Sequence, residues 1–338
     1  MQLLARRDAT LALIIAALVA AIVWRAPVFA SAGNLDTVLN DGAILTIMAL
    51  AQMHALVTRG VDLSVGAVMA LSGMLAALLS RAHPELPALL AMGVAAGSGL
   101  LLGAANGALI AGLAMPPIVV TLGTMSVYRG LVFVISGGAW VNAHELGAGF
   151  LRFPHERLLG LTWLTWIGVL VVAVCYLSLH HRRAGRELYA LGGNPAAARY
   201  LGIDVARREL GVYSITGALA GLCGYLWVAR YAVAYTETAL GFEMQTIAAC
   251  VIGGVSIRGG RGGVVGCLLG ATFLVVLFNA LPVIDVSPFW QMAISGATIL
   301  VAVALNARGE RRRSPSGRAG RTSIARGAPT AAAGAKAT

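Results

Sequence analysis

The residues of this chain that can do chemistry are few, and they interrupt long apolar runs. Gln52, His54, Asp62, Ser64, Asn106, Thr121, Thr124, Arg129, Gln245 and Asn279 stand among Ala, Leu, Val, Ile and Gly. Polar groups in such surroundings are costly unless they bond to one another or to a passing solute. Each is therefore a candidate for a gate or translocation path, and equally for an interhelical hydrogen bond. Most are neutral donors and acceptors, which suits recognition of an uncharged polar solute better than a charge relay. Asp62 with Ser64 two residues on can cap the helix that follows or contribute to an inner gate. Arg129 has three outlets: snorkelling to an interface, pairing with an acid such as Glu243, or lining a path.

Catalysis is not indicated. No G-x-S-x-G, HExxH or paired-carboxylate pattern occurs, and His180 and His181 have no third ligand in view, so neither catalytic residues nor a metal site is expected. The stretch SIRGGRGG, residues 256–263, is glycine-rich but lacks G-x-x-x-x-G-K-[ST], a pattern absent from the whole chain. No ATP site and no cofactor are expected in this chain. The stretch reads instead as a tight turn anchored at headgroups by Arg258 and Arg261, or as a second contact surface for a partner.

The elements that must position these residues follow from composition. Of 338 residues, 58% are hydrophobic and 12% charged, the balance of a membrane-embedded chain. Runs long enough to cross a bilayer, roughly 17–25 residues, lie near 9–24, 42–58, 62–80, 86–113, 117–135, 158–179, 210–229, 240–257, 262–281 and 287–306. The expected fold is all-α: a polytopic transmembrane helical bundle of about ten spans. The semi-polar stretch YAVAYTETALGFEMQ before the eighth is expected as an interfacial or re-entrant element. Placing both termini in the cytoplasm puts Arg6, Arg7, Arg59, Arg182, Arg183, Arg186, Arg199, Arg207, Arg208, Arg258, Arg261, Arg308, Arg311, Arg312 and Arg313 inside and only Arg25, Arg81, Arg152, Arg157 and Arg230 outside, as the positive-inside rule asks.

Two further features complete the organisation. Gly93, Gly97, Gly99, Gly103 and Gly107, Gly217 with Gly221, and Gly262, Gly266 and Gly270 form small-xxx-small steps suited to close helix packing in lipid. Net charge is +11, of which the residues after Ala307 carry +7; residues 1–307 are thus read as the permease domain and 308–338 as a basic disordered cytoplasmic tail near anionic lipid rather than a nucleic-acid binder. Cys175, Cys223, Cys250 and Cys267 have no ligand spacing and read as small core hydrophobes.

The least membrane-compatible interruption is the connection 180–209, which contains GRELYALGGNPAAARYLGID. Gly192 and Gly193 permit positive φ and break the preceding segment, Asn194 is an N-cap, Pro195 fits the first helical position, and Gly202 closes a helix of about seven residues. Asp204 can cap the next span. So short a helix is unstable alone and must dock, either on its own chain or on a partner.

This segment resembles the coupling-helix loop of ABC importer permeases, in the ribose and monosaccharide branch. The segments RGVDLSVGAVMALSG (59–73), GAANGALIAGLAMPPIVVTLGTMSVYRGL (103–131), GFEMQTIAACVIGGVSIRGGRGGVVGCLLGA (241–271) and SPFWQMAISGATILVAV (287–303) resemble the same branch, and GVDLSVG at 60–66 favours sugar permeases over branched-chain amino-acid ones. The resemblance implies an ATPase-coupling surface at Glu187, Gly192, Gly193, Asn194, Pro195, Ala197, Ala198, Arg199, Gly202 and Ile203, and a chain in the bacterial inner membrane. It also implies an ATPase subunit that binds ATP and Mg, a periplasmic sugar-binding protein and a second permease copy. A permease for branched-chain amino acids or another small solute, a self-sufficient secondary transporter, and a receptor or scaffold are the competing readings. The arginine-rich tail departs from the family.

Overall fold

The computed structural model describes residues 2–287 and isolated positions between 290 and 300. The predicted tenth span lies largely outside the described residues, and the tail 308–338 wholly so. The described chain is helical almost throughout: α1 (Gln2–Arg25), α2 (Ala32–Val57), α3 (Val65–Ala82), α4 (Ala88–Leu113), α5 (Pro117–Ser136), α6 (Ala148–His155), α7 (Trp163–His181), α8 (Arg183–Gly193), α9 (Pro195–Tyr200), α10 (Val205–Tyr231), α11 (Phe242–Ile252) and α12 (Val264–Val283). Seven of these, α1, α3, α4, α5, α7, α10 and α12, are long and apolar enough to cross a membrane.

Two predicted spans take a different form. The second, 42–58, is the C-terminal part of the 26-residue α2, which is buried continuously from Ala43 to Val57. Helices α7, α10, α11 and α12 all pack on it, so its hydrogen-bonding side chains Thr46, Gln52 and His54 face protein instead of lipid. The eighth, 240–257, contains only the 11-residue α11, about 16 Å long at 1.5 Å per residue and roughly half the hydrocarbon thickness. Gly253 and Gly254 end it, the latter at φ +91°. The semi-polar stretch before it is mostly non-helical.

Glycine packing is selective. Methyl groups at Gly99 and Gly103 of α4 would strike backbone carbonyls of α10, those of Gly217 and Tyr213, and one at Gly107 would stand 2.9 Å from the Cα of Leu210. Gly217 and Gly221 face back onto Gly99, Gly103 and Ala95. Gly93 and Gly97, predicted to share this role, meet nothing within 4 Å; a 3.6-residue period carries them off the seam. Gly266 and Gly270 press on Gly253 and Ala249 of α11, whereas Gly262 lies in the loop before α12 at φ +154°. The four cysteines are buried and free.

Short strand pairs close the end of the bundle opposite α8 and α9. Val141–Asn142 pairs antiparallel with Val233–Ala234, and Arg157–Leu158 with Leu161–Thr162. The second pair turns through Leu159 and Gly160, both at positive φ, the geometry that matches strand twist in a two-residue hairpin.

Candidate coupling and translocation site

Between α2 and α3 the chain is unwound from Thr58 to Ser64 and folds back beside α2. The N–H groups of Thr58, Arg59 and Gly60 still donate to the Ala55 and Leu56 carbonyls of α2, but the Val61 carbonyl and both backbone groups of Asp62 have no helical partner, so side chains must satisfy them. Gln52, one and a half turns from the end of α2, does this for Asp62: with its amide turned to the orientation that satisfies both groups, it donates to the Asp62 carbonyl at 2.9 Å and accepts from the Asp62 N–H at 3.2 Å. Thr121 of α5 donates to the Val61 carbonyl at 3.1 Å and to Pro117 of its own helix at 2.9 Å.

The Asp62 carboxylate accepts from the Ser64 backbone N–H at 2.9 Å and from its hydroxyl at 2.6 Å. This is an Asx-type turn. The expected cap on the helix is not what forms, because Ser64 itself occupies the N-cap position and makes no side-chain cap bond. Asn106 of α4 donates to Ser64 Oγ at 2.8 Å, and Tyr128 of α5 donates to Asn106 Oδ1 at 3.1 Å and to the Leu102 carbonyl at 2.9 Å. Gln52, Asp62, Ser64, Asn106 and Thr121 are all buried. Five of the ten predicted gate or path residues thus form one connected network around an unwound segment.

A second non-helical stretch, residues 232–241, reaches the same place from the opposite end. Arg129 of α5 donates to the Thr238 carbonyl at 2.5 Å and the Thr236 carbonyl at 3.4 Å. It therefore supplies donors to irregular backbone rather than snorkelling. Gly66, in the first turn of α3, is where the two interruptions touch: a methyl there would stand 2.7 Å from Glu243 Oε2, 2.8 Å from the Ala239 carbonyl and 3.6 Å from the Arg129 guanidinium. The remaining predicted path residues stand apart. Thr124 bonds to Thr121 and Asn279 to Val275 within their own helices, Gln245 is half-buried on α11, and His54 bonds to Leu50 of α2.

The connection 180–209 forms two helices. The amphipathic α8 is followed by α9, whose N-cap Asn194 accepts from the N–H groups of Ala196 and Ala197, both at 3.1 Å, with Pro195 at N1. Gly202 at φ +77° ends it, with Gly202 N–H donating to Arg199 and Ile203 N–H to Ala198. Asp204 caps α10 through the Arg207 N–H at 3.0 Å. Ala198 is buried, whereas Ala197, Arg199, Tyr200 and Leu201 are exposed; Tyr200 is 93% exposed. Gly192 and Gly193 lie within α8 at negative φ, so their expected left-handed role is not what Gly192 serves. A methyl on it would collide with the Val57 carbonyl and stand 2.6 Å from Gly260 N.

Glu187 is held between Arg183 at 2.8 Å and Arg208 at 2.6 Å, which ties α8 to α10. Burial works to raise its pKa, but hydrogen bonds and charge from both arginines outweigh this and hold the carboxyl below its ordinary range. Together with Ala190, Leu201 and Ile203, Arg183, Arg186 and Glu187 line an open groove of about 330 Å³ beside α9.

Four participants were not singled out in the sequence: Arg59, Tyr128, Tyr189 and Tyr213. Tyr189 donates to the Gly262 carbonyl at 3.0 Å, and Tyr213, 1% exposed, has no hydrogen-bond partner for its hydroxyl among the described residues. A tyrosine in an apolar run looks like packing, and only its partner distinguishes the two roles.

Comparison with known proteins agrees with this architecture. Residues 34–303 match the family described as branched-chain amino acid transport system / permease component. The chain is 38% identical over 291 residues to the ribose import permease protein RbsC of Escherichia coli K12, covering 86% of this chain and 90% of the relative. It is 33% identical over 280 residues to the autoinducer 2 import system permease protein LsrC of Shigella flexneri, covering 83% and 81%. No solved structure matches it. With this coverage and its apolar helices, the chain belongs to the ABC importer permease family, as a non-enzymatic, multi-pass protein of the inner membrane.

Proposed function

We propose that this chain is the membrane-spanning subunit of an ATP-driven importer that carries a monosaccharide or related small polyol delivered by a periplasmic binding protein. The observation that supports it best is the pairing of a two-end-capped, exposed α9 with a buried network of mostly neutral donors and acceptors, in a chain 38% identical to a ribose import permease. In this reading α9 docks on a separate cytoplasmic ATPase, which binds the ATP and Mg. Both termini are cytoplasmic, about ten spans are present, and residues 308–338 form a basic tail beside lipid headgroups. A second permease copy covers an exposed apolar face of α5 formed by Ile118, Val119, Leu122 and Phe133.

Neutral substrates need hydrogen bonds more than charges, and the network offers hydroxyls and amides. A secondary carrier would need an acid free to exchange ions or protons; the Asp62 carboxylate is already committed to Ser64.

The exposed Ala197 gives a cleaner test than the buried Ala198, whose substitution would disturb the local fold. In proteoliposomes holding permease, ATPase and binding protein, Ala197→Arg should abolish ATPase co-purification and lower uptake of labelled monosaccharide at least tenfold, with membrane insertion intact. Retained association and uptake would overturn the docking assignment, and a wild-type complex that accumulates no monosaccharide would overturn the substrate class.

A further inference from the structure

Among the described residues, Arg59 is the side chain that joins the docking segment directly to the unwound stretch. It is the second residue of the 58–64 interruption, and its Nε donates to the Gly192 carbonyl at 2.7 Å while Nη2 donates to the Gly193 carbonyl at 2.6 Å. These are the last two residues of α8, immediately before the N-cap of α9. A guanidinium there satisfies orphan carbonyls and sits at the negative end of the helix dipole, and its planar fork fixes direction as well as distance.

Its backbone is left-handed, at φ +68°, a conformation that non-glycine residues seldom adopt. Holding it turns the chain so that Arg59 points towards α8 while Asp62, three residues on, is held by Gln52 and by the chain Asp62–Ser64–Asn106–Tyr128. The contact is tight from the other side as well. Gly192 packs on the Val57 carbonyl, which accepts from Gly260 N at 2.8 Å.

We propose that Arg59 is the positioning residue that transmits displacement of α8 and α9 to the 58–64 segment, and through it to the hydrogen-bond network between α2, α4 and α5. Moving Gly192 and Gly193 carries Arg59 with them. The pull enters the network at Asp62, because no helical turn lies between to absorb it. This rests on the reading of α9 as the ATPase-docking element.

The test separates coupling from assembly. Arg59→Asn keeps a residue that tolerates positive φ and removes the guanidinium; Arg59→Lys keeps the stem and charge but replaces the two-pronged fork with a point donor. Each is reconstituted with ATPase and binding protein, and co-purification, basal ATP hydrolysis, its stimulation by the loaded binding protein, and uptake are measured.

Arg59→Asn should keep co-purification and basal hydrolysis within twofold of wild type, with stimulation and uptake falling at least tenfold; Arg59→Lys should fall between. Tyr189→Phe, which removes another bond of α8 without touching the unwound segment, should leave stimulation within twofold.

Stimulation and uptake within twofold of wild type in Arg59→Asn would overturn the proposal. So would loss of ATPase co-purification in that variant, which would make Arg59 a support of the docking surface alone. If Arg59→Asn does not insert, Arg59→Lys decides on the same stimulation ratio. Failure of wild type itself to bind an ATPase would instead overturn the docking reading of α9.

Discussion

At the scale of single residues, burial converts a hydrogen bond from a minor contribution into a requirement. Ser64 is at once donor to Asp62 and acceptor for Asn106, so Ser64→Ala strands the buried Asn106 amide and leaves the Asp62 carboxylate only the backbone N–H of residue 64. Leaving such a group unpaired costs about 1–3 kcal/mol, and the thermal midpoint in detergent should fall clearly. Asn279→Leu, which removes only a bond to Val275 in its own helix, should shift the midpoint little. Equal effects of the two would contradict the network. The sequence marked both residues alike, as polar interruptions of apolar runs. It holds no signal for which of them meets a partner 42 positions away, and the outlying Thr124, Gln245 and Asn279 share that ambiguity.

Among the elements, what was legible is what is local. The caps of α9, its proline and its closing glycine are specified within about ten residues, and they form as read. The half-length α11 was only partly legible: the semi-polar stretch before it signalled an irregularity, but an apolar run does not reveal whether it crosses a bilayer or stops midway. The glycine steps of α4 were visible without their phase, since a helix apolar on every side gives no moment from which to choose a face. Phase is testable. Gly99→Ala meets the Gly217 carbonyl and should reduce folded protein severalfold, whereas Gly97→Ala, with open space around it, should be tolerated. Such overpacking costs about 1–3 kcal/mol or more. Similar yields from both would place the α4–α10 contact elsewhere.

For the molecule as a whole, the docking segment is fastened to the bundle at several points: Glu187 to Arg208, Tyr189 to Gly262, and Gly192 and Gly193 to Arg59. These contacts join positions 21, 73 and 133 or 134 residues apart, which is why local reading identified the helix and missed its anchors. The Glu187 anchor has a pH signature. A carboxyl held below its ordinary range stabilises the fold fully above its unfolded pKa and loses that contribution as pH falls through the folded value. Glu187→Gln should therefore lower the thermal midpoint at pH 7, and the gap from wild type should close only in strongly acidic buffer, below the usual carboxylate range. A gap unchanged between pH 7 and pH 3 would show that the charge is not the source.

The seam between α4 and α10 has one more consequence. Side chains that interdigitate act as teeth, and sliding one such helix past another means lifting every tooth from its slot. Where Gly99 and Gly103 lie flat against Gly217 and Gly221, there are no teeth. The glycines that bring the two helices closest together also leave a smooth bearing surface, on which axial travel and rotation meet no locked gear.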